Sequence, residues 1–406
     1  MNVLLLENPH EVADEIFRDA SFTVERYAGA LSENDLIRAL DGVDALGIRS
    51  KTQVSGRVFD QCPRLGVIGA FCIGTNQIDL KSAIKRGVAV FNAPYSNTRS
   101  VVELAICQII ALSRHLPTKN QLLHRGSWQK TATGAREVRG KTLGIVGYGH
   151  IGMQLSVLAE ALGMRVVFYD VAERLAVGNA KRVNTLEALL RQSDFVSLHV
   201  DGNPKNRNFF DATAIAAMKP GSYLINLSRG FVVDVDALAQ ALASGHLAGA
   251  AVDVFPSEPQ QNGETFQSVL AGLDNVILTP HIGGSTEEAQ YDIGRFVSQK
   301  IVTYERAASS DMSVNLPNLS LPPASEARYR VAYIHQNSPG ALARLNRTFA
   351  DRGANIEGQI LGTQGEVGYV ITDISSELPI EVISEISDSP ETIRLKVLSC
   401  PTEEGN

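Results

Sequence analysis

Cysteine is scarce in this chain. Its four residues, Cys62, Cys72, Cys107 and Cys400, stand too far apart for a zinc knuckle or a C-x-x-C redox pair. No metal site is therefore expected, and reduced thiols in a cytoplasmic setting fit best. No run approaches the ~20 apolar residues that a membrane helix needs. The first residues, M-N-V-L-L-L-E-N-P-H, lack a basic n-region and read as a β-strand rather than a signal peptide. Basic residues are outnumbered, 37 against 44, for a formal charge of −7, which argues against a nucleic-acid surface and makes any cationic patch local. Internal repeats and low-complexity tracts are also missing.

What remains is an ordinary soluble composition, 44% hydrophobic and 20% charged, in 406 residues, more than one core usually organises. Short apolar runs alternate with helical patterns at Val3 to Leu6, Ala45 to Ile48, Leu65 to Ala70 and Val88 to Phe91, the rhythm of a parallel βαβ sheet. A helix is expected from about Ser100 to Leu116. A second series follows: Thr142 to Val146, Arg165 to Tyr169, Phe195 to Leu198, Ser222 to Asn226, Gly249 to Val254 and Val276 to Leu278. Six such strands make a complete dinucleotide-binding sheet. Three prolines fall between Leu316 and Pro323, marking a linker over 315–327. Beyond it the pattern is β-α-β-β-α-β, a ferredoxin-like order.

The fold class expected is thus α/β: two Rossmann-like doubly wound lobes with an interdomain cleft, plus a C-terminal ferredoxin-like domain. Residues 97–284 would form the cofactor lobe. Residues 1–96 with 285–314 would form the other lobe, closed by the helical pattern after Gly284, and 328–406 the last domain.

The segment G-I-V-G-Y-G-H-I-G sets Gly147, Gly149 and Gly152 in G-x-G-x-x-G, directly after a strand and at the mouth of a helix. Gly147 permits the tight turn, Gly149 lets the backbone approach a pyrophosphate, and Gly152 lets helix and strand pack closely. The helix N-terminus offers free N–H groups to the phosphates. Asp170 ends the next strand; its carboxylate accepts from ribose hydroxyls and repels a 2′-phosphate, which favours NAD over NADP. Arg174 nearby keeps NADP open.

The order G-Y-G-H-I-G, N-L-S-R-G (Asn226 to Gly230), D-V-F-P-S-E-P (Asp253 to Pro259) and T-P-H-I-G-G-S-T (Thr279 to Thr286) resembles the D-isomer-specific 2-hydroxyacid dehydrogenases. F-C-I-G-T-N-Q-I-D-L and F-N-A-P-Y-S-N-T-R-S-V-V-E-L add to the resemblance, which covers essentially the whole chain. It is strongest to the branch that acts on 3-phospho-D-glycerate and carries a C-terminal ACT-type regulatory domain. The resemblance implies that Arg229, Glu258 and His281 are catalytic. It also implies cofactor contacts at His150, Ile151, Asp170, Leu227, Ser228, Arg229, Asp253, His281, Gly283 and Gly284, with Asp253 meeting the nicotinamide amide. Chemistry gives the trio its tasks. Removing a hydroxyl proton while hydride leaves the same carbon needs a base titrating near neutrality, which suits imidazole. A carboxylate on the other ring nitrogen orients it, and a planar guanidinium holds the substrate carboxylate and C2 oxygen. His199 either borders the nicotinamide or packs.

A phosphorylated substrate needs further cations, and L-G-I-R-S-K-T offers Arg49, Ser50 and Lys51. The family typically has a second arginine where Lys51 stands, so Arg49 carries more of this assignment. Ile73, Gly74 and Asn97 can bind the substrate carboxylate, and Lys130 is a cation that in the family reaches a neighbouring subunit's site. In the last domain, His335, Asn337 and Asn355 match the family's L-serine ligands, which bind between two paired domains; in a bland reading Asn337 or Ser338 caps a helix with Pro339 at N1. The resemblance implies oxidation of 3-phosphoglycerate to 3-phosphooxypyruvate, feedback inhibition by L-serine, and a homotetramer joined through cofactor and ACT domains. The alternative is the same chemistry on another 2-hydroxyacid, such as 2-hydroxyglutarate, glyoxylate or hydroxypyruvate. A cofactor-sensing binding protein on the same fold is the reading from another class.

Overall fold

Apolar runs bounded by turn residues become strands in the computed structural model, which describes residues 1–259 and 263–400. Two compact units result: Met1–Ser96 with Gln290–Asn406, and Asn97–Ala289.

The first unit holds two sheets. β1 (Asn2–Leu6), β2 (Thr23–Tyr27), β3 (Ala45–Ile48), β4 (Val67–Ala70) and β5 (Ala89–Asn92) form a parallel sheet in the order β2-β1-β3-β4-β5. That doubly wound order reverses direction between β1 and β3, where such sheets bind ligands at the strands' carboxyl ends. β3 and β4 are buried throughout, as central parallel strands must be. The helix Glu287–Ala307 packs here through Ile293, Val297, Ile301 and Tyr304, an apolar stripe at helical spacing. Each of these contributes roughly 1.5–3 kcal/mol of burial, and a charge at Val297, which is 0% exposed, would break the contact.

The unit's second sheet is antiparallel: β13 (Tyr329–Gln336), β14 (Ile356–Gln364), β15 (Val367–Ile374) and β16 (Thr392–Ser399), in the order β14-β15-β13-β16. Ile334, Tyr369 and Ile371 join the core that holds Phe91, Val297 and Ile301, so one face of this sheet is buried against the first sheet's helical layer. The proline-rich segment is fastened too. Asn315 donates to Val88 O and accepts from Val90 N, both at 2.9 Å, and Leu316 and Leu319 are buried. The buried pair Arg330–Asp373 reaches outward, with Arg330 donating to Ala307 O and Asp373 accepting from Ala324 N. The turn N-S-P-G does not place its proline at the first helical position: the helix runs Ala341–Asp351 and Gly340 is its N-cap at φ 85°.

The second unit is built on seven parallel strands: β6 (Thr142–Val146), β7 (Arg165–Tyr169), β8 (Lys181–Arg182), β9 (Phe195–Leu198), β10 (Ser222–Asn226), β11 (Leu247–Val252) and β12 (Val276–Leu278). Their order, β12-β11-β10-β9-β6-β7-β8, is that of a dinucleotide-binding sheet with its switch between β6 and β9. The expected helix after Asn97 spans Thr98–Ser113, and a second, Leu116–His124, leaves it at 67°. No single helix among the described residues is long and apolar enough to cross a membrane.

Candidate active site

β10, β11 and β12 are neighbours whose carboxyl ends share one edge of the second unit. The loops that follow them carry Arg229, then Asp253 and Glu258, then His281. β10 ends on Asn226, whose side-chain oxygen accepts from Ser228 N and Ser228 Oγ while its amide donates to Arg229 O at 3.2 Å. That closes a tight turn under Arg229. Glycine is required next. A Cβ on Gly230 would lie 1.9 Å from the carbonyl carbon of Phe255, so the Arg229 loop lies directly against the loop leading to Glu258. Arg229 Nη1 donates to Ser228 O at 2.7 Å.

The histidine loop is wrapped around one buried carboxylate. Asp253, 1% exposed, accepts from Thr279 Oγ1 (2.5 Å), Ile282 N (2.9 Å) and Gly283 N (2.8 Å), and its carbonyl accepts from His281 N (2.8 Å). Its carboxylate is thus engaged inside the chain. These bonds hold His281 at φ 53°, a left-handed backbone that a non-glycine residue keeps only when its surroundings enforce it.

His281 Nδ1 lies 2.7 Å from Glu258 Oε2. A carboxylate only accepts, so Nδ1 carries the proton and Nε2 keeps a lone pair. The hydrogen bond that His281 donates to Glu258, assisted by the charges of Glu258 and Asp253, raises the imidazole pKa above its ordinary value against the opposing effects of burial and Arg229. Burial would raise Glu258, but the bonds it accepts from His281 and from Phe255 N outweigh that and hold it below the usual carboxylate range. A cavity of about 390 Å³ opens beside the pair, with Phe255, Phe266 and Leu278 in its apolar wall. The arrangement is an imidazole made more basic than usual, fixed through one nitrogen, with a cation nearby.

The glycine fingerprint fits a dinucleotide. Gly147 sits at φ 90°, and a Cβ there would lie 2.4 Å from His199 O. Gly149 is the N-cap of the helix His150–Ala161 with no side-chain cap, and a Cβ there would meet nothing within 4 Å. The space beside Gly149 at the mouth of this helix is open, which suits phosphates at a helix N-terminus. Gly152 allows the helix to close on Gly147 O, 2.4 Å from where its Cβ would be. Asp170 at the end of β7 accepts from Tyr148 N at 2.7 Å and Ala172 N at 2.8 Å, tying the acid to the fingerprint loop. Leu227 and Ser228 are buried, and Gly284 is crowded by Asn97, whose Nδ2 would lie 2.1 Å from a Cβ at that position. His199 is a packed histidine. Burial pushes its pKa down to about 4, Nε2 pairs with Ser197 Oγ at 2.8 Å, and Nδ1 is buried without a partner among the described residues. It is neutral at physiological pH.

The remaining candidates divide by unit. In the second, Asn97 Oδ1 is buried without a partner among the described residues, and Lys130 is exposed near Trp128, itself 79% exposed. In the first, Arg49, Ser50 and Lys51 leave the carboxyl end of β3, and Ile73 and Gly74 follow β4. Cys72 between them stays a thiol, because burial pushes it up to about 11. His335 is buried with Nδ1 on Gln336 O and Nε2 unpartnered among the described residues, and Asn337 donates to Gly365 O. Asn355 is not beside them. His335 faces Gly368 on β15, whereas Asn355 precedes Ile356, which faces Ile374 at the strand's other end, about 20 Å away at strand rise. Three side chains that shape these sites escaped the sequence reading: Glu7, Gln77 and Asn226. Glu7 and Asn226 stand at the ends of apolar runs and Gln77 lies inside F-C-I-G-T-N-Q-I-D-L, so a polar residue at such a position is the signal available.

Residues 106–283 match the NAD-binding domain of the D-isomer-specific 2-hydroxyacid dehydrogenases, and residues 331–394 match the AHAS small subunit-like ACT domain. The D-3-phosphoglycerate dehydrogenase of Escherichia coli is 49% identical over 398 residues, 97% of each chain, and that of Dictyostelium discoideum is 47% identical over 98% of this chain and 97% of its own. The chain belongs to the D-3-phosphoglycerate dehydrogenases. Fold comparison agrees with the wider family: D-lactate dehydrogenase from Aquifex aeolicus, solved with NAD and lactic acid, superposes with a TM-score of 0.64 at 28% identity, covering 75% of this chain and 95% of that one. The enzyme is thus an NAD-dependent dehydrogenase with an ACT-type domain, as the motifs of D-3-phosphoglycerate dehydrogenases imply.

Proposed function

We propose that the chain oxidises 3-phospho-D-glycerate to 3-phosphooxypyruvate, the first committed step of L-serine synthesis. The observation that carries the chemistry is the 2.7 Å contact between His281 Nδ1 and Glu258 Oε2. It leaves Nε2 to take the C2 hydroxyl proton, and the Glu258 carboxylate stabilises the imidazolium that forms. Arg229 holds the substrate carboxylate and polarises the C2 oxygen as it becomes a carbonyl. When bound, NAD supplies the hydride acceptor. In the reverse direction the imidazolium returns the proton. Gly147, Gly149, Gly152 and Asp170 would hold the dinucleotide, and Arg49 and Lys51 the phosphate, with Lys130 contributed to a neighbouring copy. NADH formation on 3-phosphoglycerate, D-glycerate and 2-hydroxyglutarate tests the assignment; equal or faster turnover of the unphosphorylated acids would sink it.

The positions of His335, Asn337 and Asn355 support a regulatory reading. His335 and Asn337 stand at one end of the sheet and Asn355 at the other, so a single chain does not close a pocket around a small amino acid. Two paired domains would bring Asn355 of one copy to His335 and Asn337 of the other. The enzyme is then a cytoplasmic homotetramer, assembled through cofactor and ACT domains and inhibited by L-serine. Full activity at millimolar serine, with the tetramer intact, would refute this.

A further inference from the structure

The cationic turn after β3 is held by side chains that hydrogen-bond to its backbone. Glu7 stands at the carboxyl end of β1, beside β3 and on the same edge of the sheet, at the point where the strand order reverses. It is 9% exposed, and both carboxylate oxygens accept backbone N–H groups of the turn: Lys51 N at 3.0 Å and Thr52 N at 2.8 Å. Glu7 and Asn8 adopt left-handed backbones in succession, at φ 65° and 49°, a conformation maintained against its local preference. From the other side, Gln77, 5% exposed, donates its amide to Arg49 O at 2.6 Å and lies 3.3 Å from Gly74 O. Its backbone carbonyl accepts from Val54 N at 2.8 Å. The turn is thereby pinned at residues 49, 51, 52 and 54.

An acid under an anion-binding turn needs a reason, because its charge opposes the ligand. Its two hydrogen bonds supply one: a buried carboxylate accepting paired backbone N–H groups fixes a turn more firmly than neutral acceptors do. Gln77 adds a second constraint, since one amide bridges the turn that carries Arg49 and the loop that carries Gly74.

We propose that Glu7 and Gln77 are positioning residues that lock the Arg49–Lys51 turn at a fixed spacing from the Ile73–Gly74 loop. Through that spacing the enzyme prefers a 2-hydroxyacid or 2-oxoacid with a distal phosphate over the same acid without one. The inference rests on the phosphate assignment of Arg49.

The test compares 3-phosphooxypyruvate with hydroxypyruvate, which differ only in the phosphate, and reads the ratio of their kcat/KM values in the full-length enzyme. Glu7→Gln, which puts an N–H where one of the two acceptors was, lowers this ratio by about tenfold or more, mainly through KM for the phosphorylated substrate. Gln77→Met keeps the volume, removes the donor and lowers the ratio as well. NADH affinity stays within about twofold in both, which separates loosened positioning from general unfolding. Arg49→Ala runs alongside. If it leaves the ratio unchanged, the phosphate assignment fails; if it lowers the ratio while Glu7→Gln and Gln77→Met do not, the assignment stands and the positioning role is refuted. Should either variant fold poorly, amide exchange of the native enzyme decides. The peptide over Arg49 to Val54 must be protected without ligand, and exchange at the rate of a free surface turn overturns the proposal.

Discussion

Replacing Glu258 by glutamine changes one charge and almost no volume, yet the two contacts of the carboxylate cannot both survive. Glu258 accepts from His281 through one oxygen and from Phe255 N, at 2.9 Å, through the other. Glutamine has one acceptor. If it stays on Phe255, the amide N–H faces Nδ1, which drives the imidazole to the tautomer protonated on Nε2 and removes the base. If it turns to Nδ1, the Phe255 N–H is left facing an N–H, at about 1–3 kcal/mol. The lost charge on the developing imidazolium adds about 1 kcal/mol, discounted because the side chains are 50% and 35% exposed. Together these give about 2–4 kcal/mol, or roughly 30- to 1,000-fold in kcat. The pH profile carries the diagnostic sign. Reduction needs imidazolium, so its rate falls as pH rises through the raised His281 pKa; oxidation needs neutral imidazole, so its rate rises through the same pKa. Without the glutamate, burial and Arg229 are opposed only by the weaker pull of the Asp253 charge, and both limbs move to lower pH. Steady-state kcat measured in both directions across pH checks this. A variant with native kcat, or with reduced kcat and unmoved limbs, would refute the pairing as the source of the histidine's basicity.

Legibility from sequence was uneven for physical reasons. The strands β3, β6, β7, β9 and β10 are largely buried apolar runs, and their limits read almost directly from the chain. β2 did not, because Thr23–Tyr27 is a largely exposed edge strand with charges at Glu25 and Arg26. The two-residue β8 is too short to have a pattern. The proposed catalytic trio was legible because each member sits in a motif just past a strand. What was hidden is how backbone groups are satisfied: no periodicity says that the Asp253 carboxylate binds the loop of His281, or that Glu7 reaches residues 51 and 52. Nor does the order of His335, Asn337 and Asn355 along the chain show that antiparallel pairing sends the third to the far end of the sheet. Pairing register and side-chain-to-backbone bonds are properties of the assembled fold.

His281→Ala should lower kcat by about 10²- to 10⁴-fold, the usual range for a lost general base, with NADH affinity by fluorescence titration nearly native; retained turnover would remove His281 from the mechanism. Gly147→Ala, forced to φ 90° with its methyl 2.4 Å from His199 O, should weaken NADH binding by at least about tenfold, and native affinity would show that the fingerprint turn tolerates a side chain. Arg330→Met is a test of stability. Arg330 and Asp373 are 4% and 0% exposed at the side chain, so removing the cation leaves a buried carboxylate supported by the Ala324 N–H and strips Ala307 O of its donor. The expected loss is about 3–5 kcal/mol in urea unfolding. Adding Asp373→Leu should recover much of it, because an apolar pair replaces the desolvated charge. A double variant as unstable as the single one would mean that the loss comes from the Ala307 contact, and that the end of the helix Glu287–Ala307 depends on Arg330 rather than on the ion pair.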